Sequence, residues 1–143
     1  MDQKEPIIVE QYFEKTMNVV WKAITELDQM TKWFFENIPD FKPEVGFKTQ
    51  FNVQSGERNF LHLWEIIDVD QGKKIVYDWR YQEYPGIGKV TFELMEKDGQ
   101  TILKLINEGL ESFPKDIPEF TKESCVGGWT YFIKERLKTY LDD

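Results

Sequence analysis

One histidine, one cysteine and a surplus of carboxylates are the residues of this chain that could do acid–base, nucleophilic or metal chemistry. His62 stands between Leu61 and Leu63. An imidazole can act as a general base or a metal ligand near neutral pH, but at that place the reading preferred is a strand histidine held by a hydrogen bond. One histidine and one cysteine cannot supply a cluster of paired zinc ligands. Cys125 falls in the last segment and suggests no Cys–His nucleophile pair; a buried free cysteine commonly serves as plain packing. Asp78 and Glu93 sit on the polar parity of their segments, opposite Tyr77 and Trp79 and opposite Phe92 and Leu94. They read as solvated, facing Arg80 or a lysine with little energetic weight. Asn107 shares parity with Leu103 and Leu105, which would aim it inward; the reading favoured is that it begins the loop at Gly109. No GxGxxG, Walker or GxSxG string occurs, so nucleotide cofactors and an α/β-hydrolase triad have no support. No catalytic residue, metal or cofactor is assigned.

What remains is aromatic. Trp, Tyr and Phe number 5, 6 and 11. Trp33, Phe34, Trp64, Tyr77, Trp79, Phe92, Phe113 and Trp129 are the rings that could line a pocket, with Ile133 beside them. Aromatic side chains serve a pocket wall and a core equally well. Ring by ring, burial statistics favour filling over lining.

These residues must be positioned by one fold of 143 residues, read as a single domain over 1–143 and long enough for a substantial core. The formal net charge of −8 argues against nucleic acid and against an anionic membrane surface, both of which call for basic patches. No apolar run approaches the ~20 residues of a membrane span. The N-terminus lacks a basic stretch followed by an apolar one, so no signal peptide is read. A single cysteine suits a reducing cytoplasm, which is the location expected.

Periodicity then gives the elements. IIVEQYF, residues 7–13, alternates as a strand. Thr16 is placed to cap a helix whose buried side carries Val20, Trp21, Ile24 and Leu27. Asp28 is a second cap, starting a short helix over 29–35, and Asn37, Pro39, Asp40 and Pro43 end helical structure. From Gly46 the period becomes two: 47–53, 59–69, 75–81, 90–94 and 101–107 read as strands. Segment 59–69 is apolar on both parities, so its inward face stays ambiguous. Turns are read at Ser55-Gly56, Gln71-Gly72, Tyr84-Pro85-Gly86 and, most strongly, Asp98-Gly99. Short turns between strands imply an antiparallel meander, and strands segregated from helices imply the α+β class.

The last stretch, 118–141, reads as one long amphipathic helix. Trp129, Ile133, Leu137 and Leu141 form its apolar stripe, with Phe132 and Tyr140 beside it. Lys134, Glu135, Lys138, Asp142 and Asp143 face water. Gly127-Gly128 inside it costs ~1 kcal/mol per glycine relative to alanine. Close approach of helix to sheet is the explanation preferred over a bending point, so Gly128→Leu is expected to overpack.

This order and several strings resemble the START-related helix-grip superfamily (SRPBCC). The strings are VWKAITELDQMTKWF from Val20, PEVGF from Pro43, WEIIDVDQGKKIVYDW from Trp64, KVTFELMEKDGQTILKL from Lys89 and GWTYFIKERLKTYL from Gly128. Within it the chain is most similar to the family of the C-terminal domain of the heat-shock chaperone ATPase activator (Aha1-like). The resemblance implies a helix-grip fold: a curved antiparallel β-sheet wrapped around a long C-terminal α-helix, with two short helices after the first strand. It implies a cavity between sheet and helix, used across the superfamily for lipids, hormones, polyketides and other apolar molecules. It brings no catalytic set. Three functions follow as expectations. The first is a non-enzymatic binding module for a small lipid-like or aromatic molecule, with Trp33, Phe34, Trp64, Tyr77, Trp79, Phe92, Asn107, Phe113, Trp129 and Ile133 as candidate cavity residues. The second is contact with a chaperone. The third, an enzyme of the cyclase or aromatase type, requires Asn107, His62 or Tyr77 to meet in one pocket.

Overall fold

The computed structural model describes residues 4–142, so Asp143 lies outside the described residues. Six strands form one antiparallel sheet in the order β1-β6-β5-β4-β3-β2. They are β1 (Ile7–Phe13), β2 (Lys48–Ser55), β3 (Arg58–Asp70), β4 (Lys74–Tyr81), β5 (Tyr84–Lys97) and β6 (Gln100–Glu108). β2 to β6 are the meander expected from the short turns, and β1 closes the far edge by pairing with β6. The sheet curves around a terminal helix, which gives the helix-grip α+β fold.

Local chemistry explains most element boundaries. α1 (Met17–Thr25) starts at Thr16, whose Oγ1 accepts from the Val19 N–H. α2 (Leu27–Trp33) is capped at Glu26 without a side-chain hydrogen bond, not at Asp28 as the sequence suggested, and Leu27 belongs to it rather than to α1. Backbone bonds from Gln29 and Met30 to the Glu26 carbonyl set this earlier start. Asp98 and Gly99 both take positive φ (53° and 80°), the conformation a two-residue type I′ hairpin requires.

The turn read at Tyr84-Pro85-Gly86 lies elsewhere. Tyr81 pairs directly with Tyr84, so the chain reverses at Gln82-Glu83. Pro85 and Gly86 instead form an irregularity inside β5: two steps along β4, from Trp79 to Tyr81, match four steps along β5, from Gly88 to Tyr84. A bulge is where a strand tolerates proline. Gly86 has φ 126°, and a Cβ there would collide with the Phe113 ring.

Register assigns the faces. On β3, Phe60, His62, Trp64 and Ile66 point inward, which settles the parity the sequence left open. The convex face carries a row of alternating charge, Glu10–Lys104–Glu93–Lys74–Asp70, each pair directly opposite across neighbouring strands. Opposite charges at such positions favour the register modestly. The concave face meets the helices in one apolar core.

The terminal helix has three windings. A 3₁₀ turn at Pro118–Phe120 precedes it, so the helix proper begins at Lys122, with Thr121 Oγ1 accepting from Ser124 N–H. α3 (Lys122–Trp129) runs into a π-helical segment (Thr130–Leu137) and then α4 (Lys138–Asp142). Trp129, Ile133, Leu137 and Leu141 are all buried, as their spacing implied. A strict four-residue repeat drifts ~40° per step on a 3.6-residue helix; the wider i→i+5 winding takes up that drift. The helix is pinned at its flanks. Lys134 Nζ donates to the Glu10 carbonyl at 2.6 Å, covering the β1 edge. Arg136 Nη2 donates to the Lys32 carbonyl at 2.8 Å, and Tyr140 donates to Gln29 Oε1 at 3.1 Å. Among the described residues no helix is long and apolar enough to cross a membrane.

Candidate cavity between sheet and terminal helix

A cavity of about 290 Å³ lies between the concave face and α3. β2 and β3 contribute Val53, Ser55, Phe60 and His62; β4 and β5 contribute Trp79, Tyr81, Gly88 and Val90. Asn107 comes from β6, and Leu110, Phe113, Glu119 and Phe120 come from the connection into the helix. Ser124, Cys125, Gly128, Trp129 and Phe132 form the helical side, and Phe35 closes one end. Ser124 and Gly128 are exposed and mark the mouth.

The connection is held on the bulge by one hydroxyl. Ser112 Oγ accepts from the Ile87 N–H at 2.9 Å and donates its one proton to the Gly109 carbonyl at 2.6 Å, with the Ile87 carbonyl 3.1 Å away as the alternative acceptor. Gly109 has φ 84°, and a Cβ there would run into the Ile87 carbonyl. This clamp lays the Phe113 ring over Gly86 and Gly88. The close approach expected of a glycine is therefore in β5 and its partner loop. At Gly127 and Gly128 a Cβ would meet nothing within 4 Å. The packing explanation for that pair is thus overturned: the missing side chains leave open space, and beside Gly128 that space belongs to the cavity.

Four of the ten candidates line the cavity: Trp79, Asn107, Phe113 and Trp129. Asn107 is a strand residue facing inward, paired with Val90 and Ile7, and does not begin a loop. Trp33, Phe34, Trp64, Tyr77, Phe92 and Ile133 are fully buried in the core instead. Phe34 is its hub, stacked on Trp33 at 4.7 Å between ring centres and touching Trp64, Phe92 and Trp129. Trp33 Nε1 donates to the Ala23 carbonyl, tying α2 to α1. The Tyr77 hydroxyl and Trp64 Nε1 are buried without hydrogen bonds. Of the three polar groups named for a cyclase-type pocket, His62 and Asn107 share the cavity wall and Tyr77 does not reach it. Among the described residues no group of three or more His, Cys, Asp or Glu side chains is placed to hold a metal ion.

His62, Tyr81, Glu119 and Cys125 also stand on the wall, outside the ten candidates; the sequence reading weighed His62 and Cys125 for chemistry and missed Tyr81 and Glu119. His62 is 5% exposed, and its Nδ1 lies 2.9 Å from the Phe60 carbonyl, which fixes the proton on Nδ1. Burial, outweighing that hydrogen bond, lowers its pKa to about 4, so the ring is neutral near pH 7. Its Nε2 then offers a lone pair. Tyr81 accepts from Trp79 Nε1 at 2.9 Å, and burial pushes its phenol well above the ordinary value. Glu119 accepts from Ser55 Oγ at 2.8 Å, the main cause that holds its carboxyl below the usual range, and pairs with Arg58 at 3.5 Å. Burial raises the Cys125 thiol to about 11, which leaves it a protonated packing group rather than a nucleophile. Parity with Phe60 and with Trp79 was the signal that could have found His62 and Tyr81; Glu119 lies in a connection and had none.

Solved structures with the same fold cover nearly the whole chain. Protein CV1439 from Chromobacterium violaceum is 18% identical, with a TM-score of 0.79 over 96% of this chain and 97% of that one. BH1534 from Bacillus halodurans is 26% identical, with a TM-score of 0.73 over 99% of each. The Aha1 dimer from Colwellia psychrerythraea is 16% identical, with a TM-score of 0.74 over 96% of each. No curated protein matches the chain. The model of the family described as activator of Hsp90 ATPase homolog 1-like protein matches residues 15–142, and the chain belongs to that family.

Proposed function

We propose that the protein is a binding module for a small, largely apolar molecule held between the sheet and the terminal helix. The observation that carries this reading is the cavity itself. It keeps about 290 Å³ open in a core otherwise packed ring against ring, close to the lower end of ligand-site volumes. The glycine at its mouth forgoes helix stability without relieving any clash. Trp79, Phe113 and Trp129 supply flat apolar walls, and few polar groups interrupt them.

The test is a titration of the ¹⁵N-labelled protein with a library of neutral aromatic and lipid-like molecules. Binders shift amides of β3, β4, β6 and α3 around the cavity. Gly128→Leu, which reaches into the open mouth, weakens those binders while leaving the fold intact. A spectrum that no member of the library shifts refutes the reading.

A second reading, contact with a chaperone, is favoured by the family and by the exposed apolar side chains Ile8, Tyr12 and Met95 on the convex face. Stimulated turnover of a chaperone ATPase supports it; unchanged turnover on titration removes it.

A further inference from the structure

Resting on the binding reading, we infer that the cavity selects an uncharged ligand bearing a hydroxyl, which donates to His62 Nε2 and accepts from the Tyr81 phenol. His62 and Tyr81 are directly opposite one another on β3 and β4, with ring centres 4.8 Å apart, and both line the cavity. Each has its other polar valence already fixed. The Phe60 carbonyl takes the Nδ1 proton of His62, and Trp79 Nε1 takes one lone pair of the Tyr81 oxygen. What they leave is one acceptor, Nε2, and one donor, the phenolic proton; among the described residues neither has a partner. A hydroxyl is a group that can satisfy both at once, since it donates one hydrogen bond while accepting others. An ether answers only the donor and leaves Nε2 facing it unpaired. A carboxylate does the same, and meets the Glu119 carboxylate on the same wall. The low pKa of His62 agrees, because a neutral ring keeps Nε2 as an acceptor.

The Asn107 amide stands on the facing side, on β6, three strands from His62. It too has no hydrogen-bond partner among the described residues, and it offers a donor or an acceptor to a second polar group of the ligand. Buried polar groups left unpaired are what make a site reject the analogue that lacks their partner.

Three flat probes of one size separate the possibilities: 2-naphthol, 2-methoxynaphthalene and 2-naphthoate, each titrated at pH 7 and followed by amide shifts. The expected result is that 2-naphthol binds about tenfold or more tightly than 2-methoxynaphthalene, the scale of one good hydrogen bond, with 2-naphthoate weakest. In His62→Phe the two neutral probes converge to within about twofold, with 2-methoxynaphthalene essentially unchanged. If that variant does not fold, Tyr81→Phe tests the donor instead: it weakens both neutral probes several-fold, and 2-naphthol keeps its advantage through His62. Equal binding of the two neutral probes to the native protein, a preference that survives His62→Phe, or undiminished binding of both neutral probes by Tyr81→Phe overturns the inference while the binding reading stands. No cavity shifts with any probe overturn both.

Discussion

His62 is a buried base whose surroundings work against its charge. Its folded pKa of about 4 lies below the ordinary 6.5, so the unfolded chain binds the extra proton first as pH falls. The associated stability is complete above about pH 6.5 and is lost progressively down to about pH 4. At pH 5 the difference is on the order of 2 kcal/mol. Urea unfolding of the native protein and of His62→Phe at pH 7.5 and pH 5 checks this: the native protein loses that amount more than the variant on acidification, and parallel losses would contradict it. Tyr77 gives the opposite kind of residue-scale prediction. Its ring packs against Trp64 and Phe41, and its hydroxyl is buried without a hydrogen bond, so removing it removes an uncompensated desolvation cost. Tyr77→Phe is expected to raise stability by about 1 kcal/mol, read as a higher denaturation midpoint at unchanged slope.

At the scale of elements, two kinds of glycine separate. Gly128 sits in α3 at ordinary helical φ with open space beside it. Gly128→Ala therefore gains about 0.5–1 kcal/mol from helix propensity and raises Tm. Gly86 sits in the β5 bulge at φ 126°, under the Phe113 ring. Gly86→Ala is expected to cost about 1–3 kcal/mol from backbone strain alone and to lower Tm. Opposite signs in two substitutions of the same type distinguish a glycine retained for open volume from one retained for conformation. The same contrast shows what composition could not tell: GVGGW and PGIG look alike as glycine-bearing strings, and only the neighbours of each Cβ position decide its role. The start of α1, the Asp98-Gly99 hairpin and the buried stripe of the terminal helix were readable because caps, turn residues and period act locally. The start of α2, the reversal at Gln82-Glu83 and the π winding were not, since each is set by contacts made across the fold.

For the whole molecule, the balance between filling and leaving empty is the central physical fact. Phe34 joins α2 and the terminal helix to the sheet through Trp33, Phe35, Trp64, Trp79, Phe92, Trp129 and Phe132. Phe34→Ala should cost about 3–5 kcal/mol in chemical denaturation, the range for truncating a large buried ring; a loss under 1 kcal/mol would mean the hub collapses without penalty. The sequence by itself determined the class, the meander and the stripe on the terminal helix, because hydrophobic period and turn chemistry are properties of neighbouring residues. Only the tertiary structure decided which aromatic rings fill and which line. Trp64 and Trp79 have the same parity, sit opposite each other on β3 and β4, and differ in role because the bulge and the Phe113 connection open space beside one of them. That choice depends on where three distant segments meet, and no spacing along the chain encodes it.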